Sequence, residues 1–171
     1  EPRFLAIQGD LYVSASKLEE GQKFYLRAAR MGEPKYEVWA RIIQLDFELN
    51  AVDSAATHAA EALKAFPKQG FLNFQLGFAR YLQGDNPDAL RYLEIARGII
   101  KPTDNWNVQL FSMLGDVYHA VGRPKDSDVA FEKVLALNPT DEHVLNNYSY
   151  YLSLRKERLE KAAMMSKQLV Y

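Results

Sequence analysis

The chain is punctuated at a nearly constant interval, and that interval leaves few folds open. Pro34, Pro67, Pro102 and Pro139 stand 33, 35 and 37 residues apart. Each closes a helical-looking apolar stretch: YLRAARMGEP, HAAEALKAFP, YLEIARGIIKP and FEKVLALNP. Proline disfavours helical geometry in the residue before it, so a helix stops at or before that point. Roughly midway between prolines, Asn50, Gly84 and Gly122 follow the apolar end of another helix. These residue types accept the left-handed conformation that terminates helices. Asp53, Asp85 or Asn86 can cap the helix that follows, and Pro124 suits a first helical turn. Each interval therefore reads helix, tight turn, helix, break. Apolar spacing of i, i+3, i+4, i+7 recurs throughout and sustained period-2 alternation is absent, so the expected class is all-α.

The register can be written as repeats 2–35, 36–69 and 70–103, a four-residue insertion from Asp104 to Asn107, then 108–141 and a shorter 142–171. Small residues recur at position 8 (Gly9, Gly77, Gly115, Ser149, with Ile43 as the exception), at position 20 (Gly21, Ala55, Ala89, Ser127) and at position 27 (Ala28, Ala62, Ala96, with Val134). Ala162 joins position 20 if one residue is inserted in the fifth turn. Position 4 is bulky in Leu5, Trp39, Phe111 and Leu145, and position 11 holds Tyr12 and Tyr118. Small residues let two helices approach closely, and large ones fill the space beside them.

These positions resemble the tetratricopeptide repeat, a 34-residue helix–turn–helix family. The resemblance covers essentially the whole chain. The fourth repeat matches best, through Phe111, Leu114-Gly115, Tyr118, Gly122, Phe131 and Pro139. The second departs from the pattern at Ile43 and Asp46, and the third at Asn73, where Phe74 or Leu72 can substitute. The resemblance implies a right-handed α-solenoid of about five helix pairs in a single domain. The phrases VLNNYSYYLS and LEKAAMMSKQ also resemble the last repeats of such proteins in Bacteroidales-type bacteria, many of them envelope or secreted proteins. That favours a bacterial periplasm or envelope over the cytoplasm. The chain opens Glu1-Pro2-Arg3 without Met and its last repeat is short, so a fragment of a longer protein is expected.

Composition removes several function classes. Lys+Arg number 21 against 22 Asp+Glu, a net charge of −1 that argues against nucleic-acid binding. Zero cysteines exclude a disulfide scaffold, a thiolate zinc site and a cysteine nucleophile. No apolar run approaches the ~20 residues of a membrane span. No HExxH, Gly-x-Ser-x-Gly, P-loop or GxGxxG occurs. Asp116 and His119, spaced i, i+3, could touch, but no nucleophile or metal partner accompanies them, so they read as a solvent-facing or groove-lining pair. Asp141, Glu142 and His143 sit at a helix start, where acidic side chains suit the dipole. Asp10, Glu19, Glu20 and Glu157 read as solvated faces. No catalytic residue, metal or cofactor is expected, and the chain reads as a scaffold, not an enzyme.

The resemblance places the concave, partner-binding face on the first helix of each repeat. The candidates on it are Arg41 and Gln44; Phe71, Phe74, Gln75, Phe78 and Tyr81; Met113, Asp116 and His119; Asn147 and Tyr150. The third repeat stands out, because four aromatic rings recur there at helical spacing and aromatics bury much area with few rotors. For any one ring the alternative is packing against the neighbouring helix. Arg41, Gln75 and Asn147 share position 6, where related repeats bond a peptide backbone. Some family members grip a C-terminal carboxylate with paired Lys and Asn; the matching positions here hold Ala6, Asp10, Arg41, Phe71 and Gln75, so that ligand is not expected. The expected partner is a peptide or protein segment in the groove. Met164, Met165, Leu169 and Val170 could leave an uncovered apolar end that self-associates, which makes a spacer or self-assembly module the rival reading.

Overall fold

The computed structural model describes residues 1–33 and 35–169. Pro34, Val170 and Tyr171 lie outside the described residues, and with them the helix break expected at Pro34 and the place of Val170 in an apolar end. Five three-residue turns organise the rest. They join α1 (Pro2–Ser14) to α2 (Leu18–Ala29), α3 (Tyr36–Glu48) to α4 (Val52–Ala65), α5 (Gly70–Leu82) to α6 (Asn86–Ile99), α7 (Asn107–Ala120) to α8 (Pro124–Leu137), and α9 (Glu142–Arg155) to α10 (Leu159–Gln168). All regular structure among the described residues is helical.

The turns are alike because their hydrogen bonding is alike. Each holds a left-handed residue: Ser16, Asn50, Gly84, Gly122 and Lys156, placed 34, 34, 38 and 34 residues apart. The N–H groups of Lys17, Ala51, Asp85, Arg123 and Glu157 each reach back five residues to a helix carbonyl, at 2.8–3.0 Å. This closes the orphan carbonyls of the helix end, and the backbone must enter the left-handed region to do so. Glycine or asparagine meets that demand at three sites; Ser16 and Lys156 meet it under compulsion of the same bonds. The fifth turn holds a second left-handed residue, Arg158, just before α10. That extra residue moves Ala162 into the buried place held by Gly21, Ala55, Ala89 and Ser127 elsewhere. Asp85 does cap α6, its carboxylate accepting the Asp88 N–H at 3.2 Å. Asp53 does not cap α4: Ala51 holds that place, and Asp53 instead accepts from the Gln83 amide at 2.7 Å.

The chain divides into two units, Glu1–Ile99 with α1–α6 and Ile100–Tyr171 with α7–α10. In the first, Ile42, Ile43, Leu45, Leu72 and Leu76 interlock with Ala55, Ala56, Ala59, Ala62 and Ala79. In the second, the largest fully buried side chains include Leu110, Leu114, Phe131, Tyr148 and Leu152. The helix pair α7–α8 is as close as its sequence allows. A Cβ on Gly115 would fall 2.3 Å from the Phe131 ring, so only glycine fits. Asn73 and Phe74 are both buried, so α5 does not rotate one inward at the cost of the other. The Asn73 amide is satisfied by the Gln69 carbonyl at 3.0 Å. Met165 is also buried, which removes it from the exposed apolar end; Met164 and Leu169 remain exposed.

Candidate functional site

The first helix of each pair turns one stripe to the core and leaves another for solvent. In Glu1–Ile99 the outward stripe is aromatic over α5. Phe71, Gln75, Phe78 and Tyr81 are half-buried, and Phe74 behind them is 8% exposed. Phe78 lies 4.9 Å from Phe47 of α3, centroid to centroid, and Phe71 lies 6.0 Å from Phe74. Phe74 is thus taken by the core, while Phe71, Phe78 and Tyr81 stay partly open, Phe78 with its ring against Phe47 of the neighbouring helix.

Beside these rings runs a polar ladder along α3. The Arg41 guanidinium donates to the Gln44 carbonyl oxygen at 2.8 Å, and the Gln44 amide donates to Glu48 at 2.8 Å. Arg41 also approaches the Tyr25 hydroxyl, which donates to Asp10 at 2.5 Å. Burial and the bond to Asp10 push the Tyr25 hydroxyl above its ordinary pKa. Asp10 is therefore a hydrogen-bonded carboxylate and not merely a solvated one.

The same unit holds a polar cluster that the sequence reading missed. Asp46 is fully buried, accepting from the Gln22 amide at 2.8 Å and pairing with His58 Nδ1 at 2.7 Å. It ties α2, α3 and α4 together where the first and fourth repeats carry Tyr12 and Tyr118. The available signal was the charged residue at an apolar position followed twelve residues later by a histidine. Inward-facing, it serves the fold and not a ligand.

In Ile100–Tyr171 the hydrogen bonds of the first-helix face centre on Asp116. Asp116 accepts from His143 Nε2 at 2.6 Å and from the Asn147 amide at 2.9 Å. It thus pairs across helices, and His119, three residues along, does something else. The His119 ring lies flat on Tyr151, with centroids 3.5 Å and planes 6° apart. Burial and the nearby Arg155 hold the His119 pKa below its ordinary value, against the pull of Asp116 and Asp128. Met113 and Asn147 are half-buried, and Tyr150 is 58% exposed. Tyr151 escaped the sequence reading because Tyr150, one residue earlier, faces outward and took the role. Asp141 caps α9, its carboxylate accepting the Val144 N–H at 3.0 Å.

Among the described residues no group of three or more His, Cys, Asp or Glu could hold a metal ion. A cleft of about 460 Å³ lies on the second-helix side, lined by Asp128, Val129, Glu132 and Arg158 among others. Its acids are engaged: Asp128 accepts two bonds from Arg155 at 2.7 and 2.8 Å, and Glu132 accepts from Tyr148, Lys161 and Arg158.

No protein-family model matches the sequence, and no curated protein sequence matches it. Solved structures do. MamA from Desulfovibrio magneticus RS-1, from its residue 41 to its end, superposes with a TM-score of 0.85 over 99% of this chain and 93% of its own, at 17% identity. YrrB, described as a TPR protein with an unusual peptide-binding site, superposes with a TM-score of 0.79 over 97% of this chain and 83% of its own, at 20% identity. The fold is that of the tetratricopeptide repeat. The pilF protein of Pseudomonas aeruginosa shares it at a TM-score of 0.73, over 88% of this chain and 67% of its own, at 10% identity. A tetratricopeptide-repeat fold accounts for the 34-residue turn spacing and for the small residues at the contacts within each helix pair. Among the described residues no helix is long and apolar enough to cross a membrane.

Proposed function

We propose that this protein is a non-catalytic interaction scaffold that binds a peptide or protein segment on its first-helix faces, the concave groove of this fold. The observation that carries the reading is the run of Phe71, Phe78 and Tyr81 along α5, each partly open to solvent. Arg41, Gln44 and Gln75 supply donors and acceptors beside those rings for an extended backbone. YrrB, with its peptide-binding site, supports the assignment to partner binding by analogy of fold alone. In the other unit Met113, Asp116, His119, Asn147 and Tyr150 set the second contact. The partner is protein, not nucleic acid, and a bacterial periplasm or envelope is its setting.

The test compares capture from the native source by wild type and by Phe71→Ser/Phe78→Ser. Phe74 is left intact because it is buried. Loss of a specific captured protein with unchanged helical signal supports the groove. Unchanged capture moves the function to the rival reading, a spacer or self-assembly module. That reading draws on Val129 of α8 and on Leu159 and Met164 of α10, all more than half exposed.

A further inference from the structure

The seam between α7 and α9 carries a histidine whose surroundings do more than position a ligand. Tyr151 of α9 has His119 of α7 stacked on it and Phe131 of α8 at 6.0 Å, so one ring joins three helices under an imidazole lid. The charged groups facing His119 come from every side. Arg155 stands on α9, Asp128 on α8 and Asp116 on its own α7. Both carboxylates are already committed. Asp128 is held bidentately by Arg155, which also reaches Glu157 at 3.1 Å. Asp116 is held by His143 and Asn147, with the Tyr151 hydroxyl at 3.5 Å. A proton on His119 would therefore meet a cation and burial, with no uncommitted acid to offset them. Burial and Arg155 lower the His119 pKa against the opposing pull of Asp116 and Asp128.

At the opposite end of the seam the His143 side chain, more than half exposed, is bonded to Asp116 at 2.6 Å.

We propose that His119 is an acid-sensitive latch: uncharged, it seals the α7–α9 seam over Tyr151, and once protonated it is repelled by Arg155 and loosens that end while the His143–Asp116 bond holds the other. Because Asp116, His119, Asn147 and Tyr150 form the first-helix face of this unit, the latch makes that half of the binding surface dependent on pH. This consequence rests on the binding reading above; the latch itself does not.

The test is hydrogen exchange on the full chain at about pH 7.5 and about pH 5.5, corrected for intrinsic exchange. No partner is needed, so its outcome is separate from that of the capture experiment. Protection in the C-terminal half of α7 and in α9 is expected to fall about tenfold more than in α5. His119→Phe, a flat ring that cannot titrate, is expected to remove that extra fall, and His143→Gln to leave it. An equal fall in wild type and His119→Phe overturns the latch. So does a wild-type His119 ring resonance that titrates at or above the value of an unperturbed histidine, a measurement that stands even where the variant fails to fold.

Discussion

The two units build the same helix–turn–helix module and spend their first-helix faces differently. In Glu1–Ile99 the face over α5 is aromatic and the buried aspartate, Asp46, points away from it into the contacts with α2 and α4. In Ile100–Tyr171 the buried aspartate, Asp116, sits on the face itself and draws His143 and Asn147 around it. The repeat dictates only the small residues at helix contacts and the bonding of the turns. What the outer stripe of each first helix carries is free to vary, and the proposed binding surface lies there.

The cores differ too, and the largest expected effect breaks that contrast open. Phe131 is the large ring seated against Gly115, so Phe131→Ala should cost the second unit about 3–5 kcal/mol. The first unit seats Tyr25 against Gly9 and Leu93 against Gly77 and fills the rest of its helix contacts with alanines, of which Ala59→Gly should cost about 1 kcal/mol. Denaturant midpoints read by residue-resolved exchange check both; equal costs would remove the contrast.

Next come the two buried aspartates. Asp46→Ala strands the Gln22 amide and the His58 N–H in a dry place, for an expected loss of about 2–4 kcal/mol. Asp116→Ala strands His143 and Asn147 where water can replace the carboxylate, for about 1 kcal/mol. Thermal or denaturant unfolding of the two variants gives the ratio.

The smallest effect is pH-dependent and belongs to one unit. The folded-state pKa of His119 lies below its unfolded value. Its uncharged form therefore stabilises fully above about pH 6.5, and that contribution is lost as pH falls through the lowered folded value. Wild type should lose stability in acid in Ile100–Tyr171 through this group, and His119→Phe should flatten the profile. A profile unchanged by the substitution would assign the acid loss elsewhere.

Much of the fold was legible before the structure. Proline punctuation, glycine or asparagine in the turns, and small residues in phase are local signals, and local signals survive in one sequence. The left-handed residues Ser16 and Lys156 were not legible, because their conformation comes from the turn's hydrogen bonds and not from residue preference. Nor were the pairs Asp46–His58 and Asp116–His143, whose partners stand on different helices. Periodicity placed the α5 rings on one helix but could not say which ring the core would take; packing chose Phe74.

The central claim is that the α5 rings capture a partner. The most direct measurement is the affinity of the captured protein for wild type, for Phe71→Ser/Phe78→Ser and for Val129→Ser on the second-helix side. The expected result is at least a tenfold loss, about 1.4 kcal/mol, in the double variant and no change in Val129→Ser. Full affinity in the double variant, with helicity intact, would contradict it.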